Sequence, residues 1–186
     1  MPTTFYRGDS RPPADIKTVY KGFQGWVPLT AAQARLIVKK GAKDKLQFPP
    51  KLATVMDSVK INTNLDLQVF IKYTKNKSTT PQVSTAADED CGGQANGKDD
   101  KGRPFVIYKI EFDGLMVALD SGGSRVIKGD DIPHKSMFPK VLIDSDKLDT
   151  ANTIAIAMKD EIAFLTSIPL DRIKQYKEQG QGWKDM

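Results

Sequence analysis

The 186-residue sequence contains a single cysteine, Cys91, and a single histidine, His134. A lone cysteine can form neither an internal disulfide nor a multi-cysteine metal site. A lone histidine leaves His-based triads and histidine-rich zinc sites poorly supplied. Hydrolytic or transfer chemistry in this chain must therefore rest on carboxylates, arginine, serine or threonine. No apolar run approaches the roughly eighteen residues of a membrane-spanning helix. The opening Met1-Pro2-Thr3-Thr4 has neither the basic nor the apolar part of a signal peptide, and a motif follows it at once. The expectation is a cytosolic protein or a domain cut from a longer, exported polypeptide.

What is present fits one globular domain over residues 1–186. With 39% hydrophobic and 27% charged residues, the chain can build a core and is not a disordered tail. The net charge of +5 is spread rather than bunched, which gives a mildly basic surface and permits an anionic cofactor or an acidic partner.

Phe5 and Tyr6 suit a strand, and Ser10 or Asp9 ahead of Pro12-Pro13 reads as an N-cap with proline in the first helical turn. That helix is expected to run through Ala14–Tyr20 and to stop at Gly22 in a left-handed C-cap. Thr30 caps a second helix, Ala31–Lys40, closed by Gly41. Leu52, Val55, Met56 and Val59 have helical spacing, whereas Leu65, Leu67, Val69, Ile71 and Tyr73 alternate with period two and favour a strand over a short helix. Residues 87–102 are acidic, Gly-rich and without hydrophobic period, so they read as an exposed loop. Their spacing does not match a calcium-binding EF-hand.

Strands are expected at Phe105–Ile110, Leu115–Leu119 and Phe138–Ile143, with a hairpin turn at Ser121-Gly122-Gly123. A further strand begins at Glu161 and runs toward Ile168-Pro169. Asp171–Gln179 reads as a terminal helix with Ile173 and Tyr176 inward and Gly180 after its end. Short strands with helices concentrated in the first third give α+β rather than a βαβ repeat.

Three separated pieces carry candidate chemistry. Arg7, on the first strand, either faces a pocket as an anion clamp or simply pairs with Asp9 or Asp15 on the surface. Ser84-Thr85 lies in Gln82-Val83-Ser84-Thr85-Ala86, and Glu161 lies seven residues before Ile168-Pro169. Together, Tyr6-Arg7-Gly8-Asp9-Ser10-Arg11-Pro12-Pro13 followed by Gly22-Phe23 and Trp26, the Ser-Thr strand and the later Glu resemble the bacterial mono-ADP-ribosyltransferase toxins of the cholera and pertussis type, the Arg-Ser-Glu class. The resemblance spans nearly the whole chain, and its first motif is the most specific.

The resemblance implies two packed, mostly antiparallel sheets around an NAD cleft, with helices near the N-terminus. It implies NAD as substrate and no metal. Glu161 would stabilise the oxocarbenium-like charge that develops on the ribose as the nicotinamide bond breaks. Arg7 would hold the NAD phosphates or ribose, Ser84 would position Glu161, and Thr85 would brace the strand. Asp9 would order the turn, Arg11 would touch the adenosine side, and Trp26 would line the nicotinamide pocket.

Two departures from the family pattern stand out. Lys159 occupies the place where arginine-modifying members carry a second Glu; it cannot accept hydrogen bonds from an incoming guanidinium and repels it. Asp160 substitutes for that Glu only if the strand carries a bulge. No histidine lies between Trp26 and Ser84, and His134 falls in an apparent loop.

Residues 144–159 would form the acceptor-recognition loop. It offers Asp146, Asp149, Thr150, Asn152 and Thr153 but no stacking aromatic, which disfavours a nucleic-acid acceptor and favours a protein. By family habit the chain would be the toxic domain of a larger secreted or injected bacterial effector acting in the target-cell cytosol, with an immunity or delivery partner and no membrane association. The alternatives are an NAD glycohydrolase or nucleic-acid transferase using the same cleft, or a catalytically inactive binding module.

Overall fold

The computed structural model describes residues 3–38, 74, 80–112, 115–118, 124–127, 140–143, 153–158 and 161–186. Twelve strands are assigned among them: β1 (Thr3–Asp9), β2 (Gly22–Phe23), β3 (Val83–Thr85), β4 (Val106–Phe112), β5 (Leu115–Ala118), β6 (Ser124–Ile127), β7 (Lys140–Ile143), β8 (Ile154–Met158), β9 (Glu161–Phe164), β10 (Ile168–Pro169), β11 (Ile173–Lys177) and β12 (Lys184–Asp185). They form a four-stranded sheet in the order β1-β4-β11-β12, a six-stranded sheet in the order β3-β9-β8-β7-β5-β6, and the small pair β10-β2. Every strand pair is antiparallel. The architecture is α+β, mostly antiparallel, with few helices. No helix among the described residues is long and apolar enough to cross a membrane.

One apolar cluster ties the two large sheets together. Phe5 on β1 is fully buried and meets Phe164 of β9 at 5.4 Å and Phe112 of β4 at 6.2 Å between ring centroids, both edge-to-face. Phe112 and Phe164 stack on each other at 5.5 Å. Such contacts add to the area term that already favours burying three aromatic rings. The sheets also meet through the main chain: Tyr6 on β1 and Ala86, just past β3, exchange both backbone hydrogen bonds, at 2.8 and 2.7 Å.

The first helix differs from expectation at both ends. Its N-cap is Pro12, with no side-chain cap, and α1 (Pro13–Asp15) continues into a π-helical turn, Ile16–Tyr20. Neither Asp9 nor Ser10 is free to cap it: the Asp9 carboxylate serves two arginines, and the Ser10 hydroxyl accepts from Arg103. At the far end Lys21, not Gly22, adopts the left-handed cap, with φ 52°. Gly22 is needed for another reason. With φ 127° it starts β2, and a Cβ there would overlap the Ile168 carbonyl of β10.

The second helix, α2 (Ala31–Val38), opens as expected. The Gln33 N–H donates to Thr30 Oγ1 at 3.2 Å, and the Thr30 N–H donates to Gln33 Oε1 at 3.0 Å, a reciprocal capping box.

The terminal helix expected over Asp171–Gln179 is not formed. A 3₁₀ turn, Leu170–Arg172, leads into β11 instead. Ile173 and Tyr176 are three residues apart, which suits one face of a helix, but the register of β11 on β4 shifts between Ile173 and Gln175. Ile173 therefore pairs with Ile110 and Tyr176 with Tyr108. The extra residue of a bulge restores both side chains to one face, and pairing with the open edge of β4 outweighs the helix propensity of Lys, Gln and Glu.

The strands expected at Phe105, Leu115 and Phe138 appear as β4, β5 and β7. The helix at Leu52–Val59, the strand at Leu65–Tyr73, Gly41, the turn Ser121-Gly122-Gly123, His134, Lys159, Asp160 and all but Thr153 of the named acceptor-loop residues lie outside the described residues.

Candidate active-site cleft

The site begins where β1 and β3 part. Tyr6 and Ala86 form a hydrogen-bonded antiparallel pair, so a continued ladder would pair Gly8 with Ser84 two residues on. It does not continue. The Ser84 carbonyl instead accepts a hydrogen bond from Arg7 Nη1 at 2.8 Å. The two strands splay, and a cleft of about 880 Å³ opens along the gap.

One wall is an arginine cluster built by strand alternation. Arg7 and Asp9 point to the same face of β1. Asp9, only 8% exposed, accepts from Arg7 Nε at 3.2 Å and Nη2 at 3.0 Å, and from Arg11 Nε at 2.8 Å and Nη2 at 2.6 Å. The Arg11 backbone N–H adds a bond to Asp9 Oδ1 at 3.0 Å, which closes the turn after β1. Both guanidinium groups lie against aromatic faces: Arg7 is 5.1 Å from the Phe23 centroid, and Arg11 is 4.5 Å from Tyr20 and 5.5 Å from Phe23.

Burial by itself would raise the Asp9 pKa. The Arg11 hydrogen bond and the charges of Arg7 and Arg11 outweigh it and hold the carboxyl below its usual range. Arg11 is in turn held more firmly protonated, chiefly by its bond to Asp9. The Tyr108 hydroxyl donates to the Arg11 carbonyl at 2.6 Å and fixes the loop, and burial pushes that hydroxyl's pKa up. The two sequence readings of Arg7 thus merge, since it pairs with Asp9 and does so inside the cleft. Two guanidinium charges against one carboxylate leave the wall suited to an anion.

Opposite lies the Ser-Glu pair. β3 and β9 align Ser84 with Ala163, so Glu161, two residues before Ala163, shares the face of Ser84 as its diagonal neighbour. The Ser84 hydroxyl donates to Glu161 Oε1. Thr85, one residue on and pointing the other way, is buried and donates to the Ile162 carbonyl at 2.9 Å, which pins β3 to β9. The chain Asp9, Arg7, Ser84, Glu161 is therefore linked across the gap by hydrogen bonds. Trp26 stands at the rim, 79% exposed.

Several cleft residues escaped the sequence reading. Tyr20 stacks on Arg11, yet in sequence it only closes a helix. Cys91 and Gln94 come from the Gly-rich loop, where no periodicity signals which side chain turns inward. Burial pushes the Cys91 thiol up to about 12, against a weaker opposing hydrogen bond from Gly8, so it is a protonated thiol at neutral pH and a poor nucleophile. Among the described residues no group of three or more His, Cys, Asp or Glu is arranged to hold a metal ion.

Fold and site together define a small antiparallel α+β protein with a cleft between splayed strands, walled by an Arg-Asp-Arg cluster and a Ser-Glu pair. No protein-family model matches the chain, and no curated protein matches it.

Proposed function

We propose that this chain is an NAD-dependent mono-ADP-ribosyltransferase domain of the toxin fold, which transfers ADP-ribose from NAD to a protein of a target cell. The observation that carries the reading is the hydrogen bond from the Ser84 hydroxyl to Glu161, held across the cleft from Arg7 by the Arg7–Ser84 carbonyl bond. The two antiparallel sheets meeting at the cleft are compatible with that fold.

The chemistry follows from charge. The bond between the ribose C1′ and the pyridinium nitrogen breaks, its electron pair leaves with neutral nicotinamide, and positive charge develops on the ribose. A carboxylate fixed beside that ribose stabilises the transition state more than the ground state. Ser84, by donating to one oxygen of Glu161, orients the carboxylate toward the ribose. Arg7 and Arg11 hold the diphosphate, Asp9 sets their spacing, and Trp26 offers an aromatic face at the mouth. The acceptor nucleophile then attacks C1′ and loses its proton. Secretion or injection as part of a larger effector, and an immunity or delivery partner, belong to the same proposal.

The test is incubation of the protein with adenylate-labelled NAD and a cell lysate. Label that becomes protein-bound and protease-sensitive is the expected result. Nuclease-sensitive label would move the acceptor to nucleic acid, free ADP-ribose alone would make the enzyme a glycohydrolase, and intact NAD would leave a binding module.

A further inference from the structure

The cleft has two chemically different sides. Arg7, Asp9 and Arg11 occupy one face of β1 and its following turn. Gly8 points to the other face by strand alternation, and there it is covered by the turn Cys91–Gln94. A Cβ on Gly8 would overlap Gln94 Oε1 and stand only 2.9 Å from Gln94 Cβ. The Gln94 side chain thus lies flush on the strand, a contact only glycine permits. It lines the cleft, and its amide makes no hydrogen bond among the described residues.

The backbone beneath it is fixed without help from that side chain. The Gly93 N–H donates to the Asp90 carbonyl at 3.0 Å, the Ala95 N–H to the same carbonyl at 3.2 Å, and the Gly97 N–H to the Gln94 carbonyl at 2.9 Å. Gln179 Nε2 donates to the Gly97 carbonyl at 2.7 Å, anchoring the turn to the segment after β11. The turn that carries Gln94 is fixed by its main chain, and the side chain spends neither its donor nor its acceptor on it.

This side of the cleft carries no arginine of the cluster. The Cys91 thiol is neutral, and the charges acting on it are those of Asp90, Arg7 and Asp88. The pyridinium ring's substituent in NAD is a primary carboxamide, which presents one donor and one acceptor side by side, the complement of a glutamine amide.

We propose that Gln94 is a specificity-determining residue that reads the carboxamide of the nicotinamide ring. Its Oε1 accepts from the ligand NH₂ while its Nε2 donates to the ligand carbonyl. This rests on the NAD reading above. A second group of the same donor-acceptor chemistry, the amino edge of the adenine ring, is the alternative source.

The test compares NAD with 3-acetylpyridine adenine dinucleotide, which replaces the NH₂ by a methyl group, and with nicotinamide hypoxanthine dinucleotide, which alters only the purine. Dinucleotide consumption is followed for wild type and Gln94→Ala, and the leaving-group difference between analogues cancels between the two enzymes. Wild type should prefer NAD over the acetylpyridine analogue, and Gln94→Ala should shrink that preference by about tenfold, the worth of a hydrogen bond left unmade. The preference against the hypoxanthine analogue should not move, nor should the melting temperature, since the side chain is exposed and unbonded. An acetylpyridine preference unchanged in Gln94→Ala overturns the proposal while leaving the NAD reading intact. A change confined to the hypoxanthine arm overturns it in favour of purine contact. Failure of wild type to consume NAD removes both readings together.

Discussion

Glu161 and Ser84 are ordinary strand residues until their neighbours are counted. What makes them a pair is the diagonal register of β3 on β9, and what makes the pair a site is Arg7 bonding the Ser84 carbonyl from across the gap. Ser84→Ala removes the donor to Glu161 while leaving the strand ladder intact. It should lower kcat for nicotinamide release about a hundredfold with the KM for NAD little changed, the size expected when a catalytic group loses its orientation. A raised KM with normal kcat would place Ser84 in binding instead.

Asp9 gives a pH signature at the same scale. Its folded-state pKa lies below the unfolded value of 3.8, so its stabilising contribution is complete above that value and is lost as pH falls through the folded one. Asp9→Asn should be less stable than wild type at neutral pH, and the gap should close on acidification below about pH 4, as read by chemical denaturation across pH. Arg7, Ser84 and Glu161 stood out in the sequence because order and spacing around them resemble a family pattern, and the structure brings the three to one cleft. Gln94 did not, because its place depends on an absent Cβ eighty-six residues away.

At the scale of elements, the boundaries that sequence reading missed share one cause: a tertiary partner overrode a local preference. Asp171–Gln179 reads as helix by composition and by the spacing of Ile173 and Tyr176, and a bulge on β11 produces the same facing in a strand. Asp9 and Ser10 read as caps and were taken by arginines. The Thr30 capping box, by contrast, is satisfied within four residues and was fully legible. Gly22 shows how closely β2 and β10 approach. Gly22→Ala meets both a positive φ and the Ile168 carbonyl, so it should destabilise the fold by about 2–4 kcal/mol in denaturant titration. A loss below about 1 kcal/mol would mean that the β2–β10 pair yields readily.

For the molecule as a whole, the shared aromatic cluster makes the two large sheets one unit, and the cleft lies where their main-chain pairing stops. Rigid strands on both sides hold Arg7 and Glu161 at a fixed separation, while the carboxylate, guanidinium and hydroxyl groups come from segments nearly eighty residues apart. Phe5 touches both sheets, so Phe5→Ala should cost about 3–5 kcal/mol and lower a single cooperative transition. Separate transitions for the two sheets would contradict a common core.

The central claim is that this cleft splits NAD through Glu161, and release of nicotinamide from NAD by wild type and by Glu161→Gln, at matched folding, tests it most directly. The account predicts steady release by wild type and a fall of about a hundredfold or more in the variant, the scale of losing a preorganised charge at a transition state. Equal release by the two proteins, or none above buffer by wild type, would contradict it.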